Sequence, residues 1–175
     1  MVVYLTGSTG FIGSKVAASL SGRKEFQPIF STRQSYGYGI DRLIPDLLGV
    51  DSIVHLAGIG SVDENNLTDI DQIYSINVEY TEKLARAAIA AGVQRFVFVS
   101  SAKVFGETTT GKSPFDEDMP SSPEGIYAQS KYEAERVLKT ISAGKDMELV
   151  IIRPPLVYGP GVKANFRSLL KLSRL

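Results

Sequence analysis

Between Val2 and Gly13 the chain reads Val-Val-Tyr-Leu-Thr-Gly-Ser-Thr-Gly-Phe-Ile-Gly, and no other stretch narrows its possible folds as much. An apolar run of strand length delivers glycines at positions 7, 10 and 13, and Val16, Ala17 and Leu20 then give a helical stripe that stops at Ser21-Gly22. Gly7 lets a tight turn take dihedrals that a side chain resists, Gly10 lets a ligand approach the backbone, and Gly13 lets the helix lie close on its strand. Free N–H groups and the helix dipole at that end favour an anion, and a pyrophosphate suits the spacing. A glycine cluster alone also suits an ordinary strand-to-helix turn, so the rest of the chain has to decide.

The spacing G-x-x-G-x-x-G departs from the G-x-G-x-x-G of many dehydrogenases. Thr6-Gly7-Ser8-Thr9-Gly10-Phe11-Ile12-Gly13 instead resembles the extended short-chain dehydrogenase/reductase family, the NAD-dependent epimerase/dehydratase family of nucleotide-sugar enzymes. The resemblance implies NAD or NADP as cofactor, held at Gly7, Gly10, Phe11, Ile12 and Gly13, and a nucleotide-diphosphate sugar as substrate. Composition agrees with a folded domain of this kind: 175 residues, 43% hydrophobic and 22% charged. A net charge of zero gives no support to nucleic-acid binding. With no cysteine and one histidine, a disulfide framework is excluded and a typical metal site disfavoured. No apolar run is long enough to span a bilayer, and Met1 leads straight into the glycine loop without room for a signal peptide. A cytoplasmic location is expected by elimination.

The next apolar run, Phe26 to Phe30, reads as a strand containing Pro28. At its end an acidic residue accepts the ribose 2′-hydroxyl of NAD, and a basic one suits the 2′-phosphate of NADP. This chain has Ser31-Thr32-Arg33, which makes Arg33 either an NADP-selecting residue or a solvated loop arginine. Tyr36-Gly37-Tyr38-Gly39 reads as turn punctuation, Leu43 to Leu48 as a short helix, and Ile40-Asp41 as the only stand-in for a further strand usual in the family. Ser52 to Gly58 is a compact strand buried on both faces, and it resembles the segment that places Leu56, Ala57 and Gly58 beside the cofactor. His55 inside it reads as a core histidine, not a base. A polar surface loop is expected over 61–68, and a helix from about Ile76 to Ala91. Its opening Asn77-Val78-Glu79-Tyr80-Thr81 resembles the family's Asn-containing helix start, which leaves Asn77 as a cofactor contact or a cap.

Arg95 to Val99 is a strand that runs into Ser100-Ser101, where open parallel sheets gather ligands. Ser101-Ala102-Lys103-Val104-Phe105-Gly106 resembles the family's motif after that strand, which makes Ser101 the catalytic serine and Lys103 a substrate contact. The Ser-Ser-x-Lys-Val form is similar to a subgroup that contains 4-keto reductases of nucleotide sugars. After an acidic, Pro/Gly/Ser-rich loop come Tyr127 and Lys131, four apart and so on one helix face. A tyrosine of pKa ~10 is a poor base near neutrality, and a nearby cation favours its phenolate. Glu148 to Arg153 is the last strand, and Arg153-Pro154 resembles the family segment near the nicotinamide. Asn165 falls where the family contacts the sugar-nucleotide diphosphate.

The expected fold is α/β, a doubly wound parallel sheet of the Rossmann-like type. Residues 1–161 form its NAD(P)-binding domain, and 162–175 begin a substrate-binding lobe whose remainder is missing. The resemblance implies an epimerase or 4-keto reductase in which Tyr127 moves the proton, Lys131 holds the ribose and Ser101 binds the reacting oxygen. It also implies a homodimer through the helices near Asn77 and Ile126. The alternative from another class is a non-catalytic dinucleotide-binding module that senses redox state or pairs with a partner.

Overall fold

The structure is a computed structural model, and it describes residues 1–60, 66–109 and 114–160. Five strands, β1 (Val2–Thr6), β2 (Gln27–Phe30), β3 (Ser52–His55), β4 (Arg95–Val99) and β5 (Glu148–Ile152), form one sheet in the order β2-β1-β3-β4-β5. Every pairing is parallel, and Thr6 stands opposite His55 in the register. Parallel neighbours need helical crossovers, supplied by α1 (Phe11–Ser21), α2 (Ile40–Leu47), α3 (Leu67–Tyr74), α4 (Thr81–Ala90) and α5 (Gly125–Ser142). This is the doubly wound α/β architecture anticipated from the sequence.

The strand period of two sends successive residues to opposite, covered faces of the sheet. Tyr4, Ile53, Phe96 and Phe98 join Leu43 and Leu47 of α2, Leu84 and Ala88 of α4, and Leu138 of α5 in one apolar cluster. Complete burial of Phe96 and Phe98 contributes ~1.5–3 kcal/mol each. Val3 and Leu5 alternate with Tyr4 and are buried on the other face, where α1 packs against β1 and β2. Pro28 is tolerated because β2 is an edge strand, paired with β1 alone among the described residues. From β1 the chain goes to β2 on one side and returns to β3 on the other, so a crevice opens at the carboxyl ends of β1 and β3.

Two local expectations differ from the structure. Ile40-Asp41 makes no strand; it opens α2, preceded by a short 3-10 turn over Arg33–Gly37. The helix expected from about Ile76 begins at Leu67, where the Asn66 side chain accepts the Thr68 N–H at 3.1 Å. It then runs through a π-helical turn, Ser75–Tyr80, into α4. Asn77 thus lies in the middle of a helical run, where a π turn swings one extra residue inward.

Candidate active site

The glycine turn closes with a hydrogen bond from Gly10 N to Gly7 O of 2.9 Å. Gly7 has φ +70°, and a Cβ there would lie 2.7 Å from the Ala57 nitrogen. A Cβ on Gly13 would lie 2.0 Å from Gly7 O, so the close approach that requires glycine is to the turn itself more than to the strand. Backbone, not side chains, therefore forms this wall, as an anion site at a helix N-terminus requires.

The turn opens into a cavity of about 690 Å³. Of the residues anticipated from the sequence, Gly7, Gly10, Phe11, Ile12, Gly13, Arg33, Leu56, Gly58, Ser101, Tyr127, Lys131 and Pro154 line it. Ala57 stands just behind, its N–H held by Thr6 Oγ1 at 3.1 Å. Asn77 is fully buried behind the wall, and its side chain clasps Ile59 by accepting from N (2.8 Å) and donating to O (3.0 Å). Lys103 is exposed outside the lining and pairs with Glu107 at 2.7 Å. Asn165 and the 162–175 lobe lie outside the described residues. The cavity also takes in Ile59, Gly60, Val99, Ser100, Pro155 and Val157. Ser100 had a signal in the sequence, since it too follows the β4 strand; the others are apolar or glycine and carry none.

Arg33 is presented by a turn that is itself anchored. Ser35 Oγ donates to Thr32 O at 2.7 Å and lies 3.1 Å from the Tyr80 hydroxyl, and the Tyr36 and Tyr80 rings are 4.7 Å apart.

Tyr127 and Lys131 face the same cavity, but their electrostatics differ from the sequence expectation. Burial raises the Tyr127 pKa above its ordinary value, opposed by a hydrogen bond with Ser101 and by the positive charge of Lys103. The Lys131 ammonium is turned aside, donating to Val99 O at 3.0 Å and sitting 4.7 Å over the Phe98 ring. Burial pushes Lys131 down to about 8, and Glu135, one turn on, acts against that. A Cβ on Gly58 would come within 3.3 Å of Lys131 Nζ, so that glycine opens the ammonium to the cavity. Glu135 is itself buried and held by both Arg153 Nε (3.0 Å) and Nη2 (2.7 Å), which ties the end of β5, and with it Pro154, to α5. Ser100 is 3% exposed, and its hydroxyl has no hydrogen-bond partner among the described residues.

Residues 3–172 match the NAD dependent epimerase/dehydratase family. The chain belongs to that family. It is 36% identical to the UDP-glucose 4-epimerase of Vibrio cholerae, across 97% of this chain and 56% of that protein. Among solved structures it resembles MoeE5 in complex with UDP-glucose and NAD (29% identity, TM-score 0.78, 97% of this chain and 60% of that one). It also resembles RMD from Pseudomonas aeruginosa complexed with NADPH (25% identity, TM-score 0.79, 99% and 63%). The chain thus spans about half the length of the curated epimerase/dehydratase relatives it matches. Within the family's shared portion, the glycine turn, the β4 end and the Tyr-x-x-x-Lys helix converge on one cavity.

Proposed function

We propose that this chain carries the cofactor-binding and catalytic half of an NAD(P)-dependent nucleotide-sugar enzyme, an epimerase or 4-keto reductase acting on a hexose linked to a nucleoside diphosphate, UDP foremost. The observation that supports the reading is the single cavity joining the glycine turn to Ser101, Tyr127 and Lys131. A dinucleotide fits the residues present on two counts: the turn excludes side chains where phosphates would lie, and the buried Ser100 hydroxyl lacks a partner among the described residues. The nicotinamide supplies or accepts the hydride at a sugar carbon when bound. Tyr127 takes the proton of the sugar hydroxyl in the oxidising direction and returns it in the reducing one. Ser101 holds the phenol and the reacting oxygen together, Lys131 holds the nicotinamide ribose through the opening at Gly58, and Lys103 favours the phenolate and meets the sugar nucleotide.

NADP is the favoured cofactor, because Arg33 lines the cavity and no carboxylate stands beside it in Ser31-Thr32-Arg33. NADP in turn favours a reductase, which exchanges its cofactor, over an epimerase, which retains NAD. We extend the proposal to a homodimer through the outer faces of α4 and α5, where Glu82, Arg86, Arg136, Val137 and Ile141 line a shallow groove. The deciding experiment is calorimetric titration with NAD(H) and NADP(H), together with analysis of any nucleotide retained through purification. Selective NADPH binding that Arg33→Ala abolishes supports the reductase, retained NAD supports the epimerase, and binding of neither overturns the proposal.

A further inference from the structure

Behind the cavity a set of polar side chains closes on itself. Thr6, at the end of β1, accepts the backbone N–H groups of Leu56 (3.2 Å) and Ala57 (3.1 Å) on its hydroxyl oxygen. Both lone pairs are then used, so its own proton goes to His55 Nδ1, 2.6 Å away. The far side gives the same count. Thr81 donates its hydroxyl proton to Asn77 O at 2.8 Å and can only accept from His55 Nε2, also 2.8 Å away. Two independent ends thus assign one state to the ring, neutral with its proton on Nε2. His55 is fully buried, with the Tyr80, Phe96 and Phe98 rings within 5.8 Å, and burial pushes its pKa down to about 3. From Asn77 the path continues: its Nδ2 donates to Ser130 Oγ at 2.9 Å, and Ser130 donates to Tyr127 O at 2.8 Å.

We propose that His55 is a positioning residue, a neutral Nε2–H ring that ties the strand end beneath the glycine turn to Asn77 and, through Ser130, to the first turn of the helix bearing Tyr127. The ring keeps the phosphate-binding and reacting ends of the cavity in fixed relation. Thr6, His55, Thr81 and Asn77 all stand outside the cavity lining, so they act on a ligand only through the backbone they hold. The ring carries an acceptor and a donor together and so serves both hydroxyls at once, which no aliphatic side chain does. The functional consequence rests on the dinucleotide reading above; the state of the ring does not.

The chain's single histidine makes the test direct, because its imidazole nitrogens give the only such signals in a nitrogen NMR spectrum. The expected spectrum shows a protonated Nε2, an acceptor Nδ1 and no titration through neutral pH; a proton on Nδ1, or a ring that titrates near neutrality, overturns the proposal. Thr81→Val removes the acceptor for Nε2–H at nearly constant volume, and Thr81→Ser restores it. With Thr81→Val, cofactor binding measured by calorimetry is expected to weaken about tenfold, and the Leu56 and Ala57 amides to exchange faster. Thr81→Ser is expected to recover both. A lowered Tm with unchanged affinity and unchanged exchange at Leu56 and Ala57 assigns Thr81 to packing alone and overturns the proposal. If the wild-type protein binds neither cofactor, the dinucleotide reading fails, and ring state and amide exchange still decide the role of His55.

Discussion

Ser130, behind the cavity, and Ser100, in its wall, are both buried serines. Ser130 accepts from Asn77 and donates to Tyr127 O, whereas the Ser100 hydroxyl is unpartnered among the described residues. The contrast extends to their surroundings. Behind the wall, Thr6, His55, Thr81 and Asn77 satisfy one another; in the wall, the buried Lys131 ammonium has a backbone carbonyl, while the Ser100 hydroxyl has no partner among the described residues. A closed set of polar groups holds geometry. An open one carries a desolvation cost of ~1–3 kcal/mol per unsatisfied group, which a bound ligand relieves. Saturation thus separates the layer behind the cavity from Ser100 in its wall.

The largest effect is expected from Tyr127→Phe, which removes the phenol's proton chemistry while leaving the saturated layer behind the cavity intact. Turnover of a nucleotide sugar is expected to fall by ~10²–10⁴-fold with cofactor affinity unchanged. A matched loss of affinity in titration would instead give Tyr127 a structural part. Gly13→Ala forces a methyl against Gly7 O and should cost ~1–3 kcal/mol of stability in urea unfolding, with loss of cofactor binding.

The buried Lys131 ammonium makes stability depend on pH. Its folded pKa is about 8, against an ordinary 10.5. Between those values the unfolded chain still holds a proton that the folded chain has released, so stability rises with pH across that window. The wild-type stability curve minus that of Lys131→Met should show this rise, and a flat difference would mean the ammonium is not buried as described. The smallest effect is expected at Ser100→Ala. Removing an unsatisfied buried hydroxyl should leave Tm unchanged or slightly raised while weakening cofactor binding by about threefold; a clear drop in Tm would show that Ser100 has a protein partner.

The glycine spacing, the small-residue end of β3, the polar end of β4 and the Tyr-x-x-x-Lys interval were all legible because each depends on local backbone chemistry or helical period. The Lys131 environment was not. Spacing put its ammonium beside the phenol, but the Val99 carbonyl and the Phe98 ring that draw it aside come from a strand more than 30 positions earlier in the chain. Asn77 was misplaced for a similar reason. A π turn is stabilised by what its inward residue grasps, here Ile59 and Ser130, and no local pattern announces it.

The order of residues alone is enough to read a parallel α/β sheet, a backbone-lined glycine turn at its start, a serine at a strand end, a tyrosine and lysine on one helix face, and a histidine inside an apolar strand. Those features follow from periodicity, glycine sterics and burial, which act over a few residues. Packing between distant segments sets where the Lys131 ammonium points, which buried hydroxyls stay open, and which proton His55 carries. Each of these depends on counting donors and acceptors between segments far apart in the chain, and that count exists only once the strands and helices have packed.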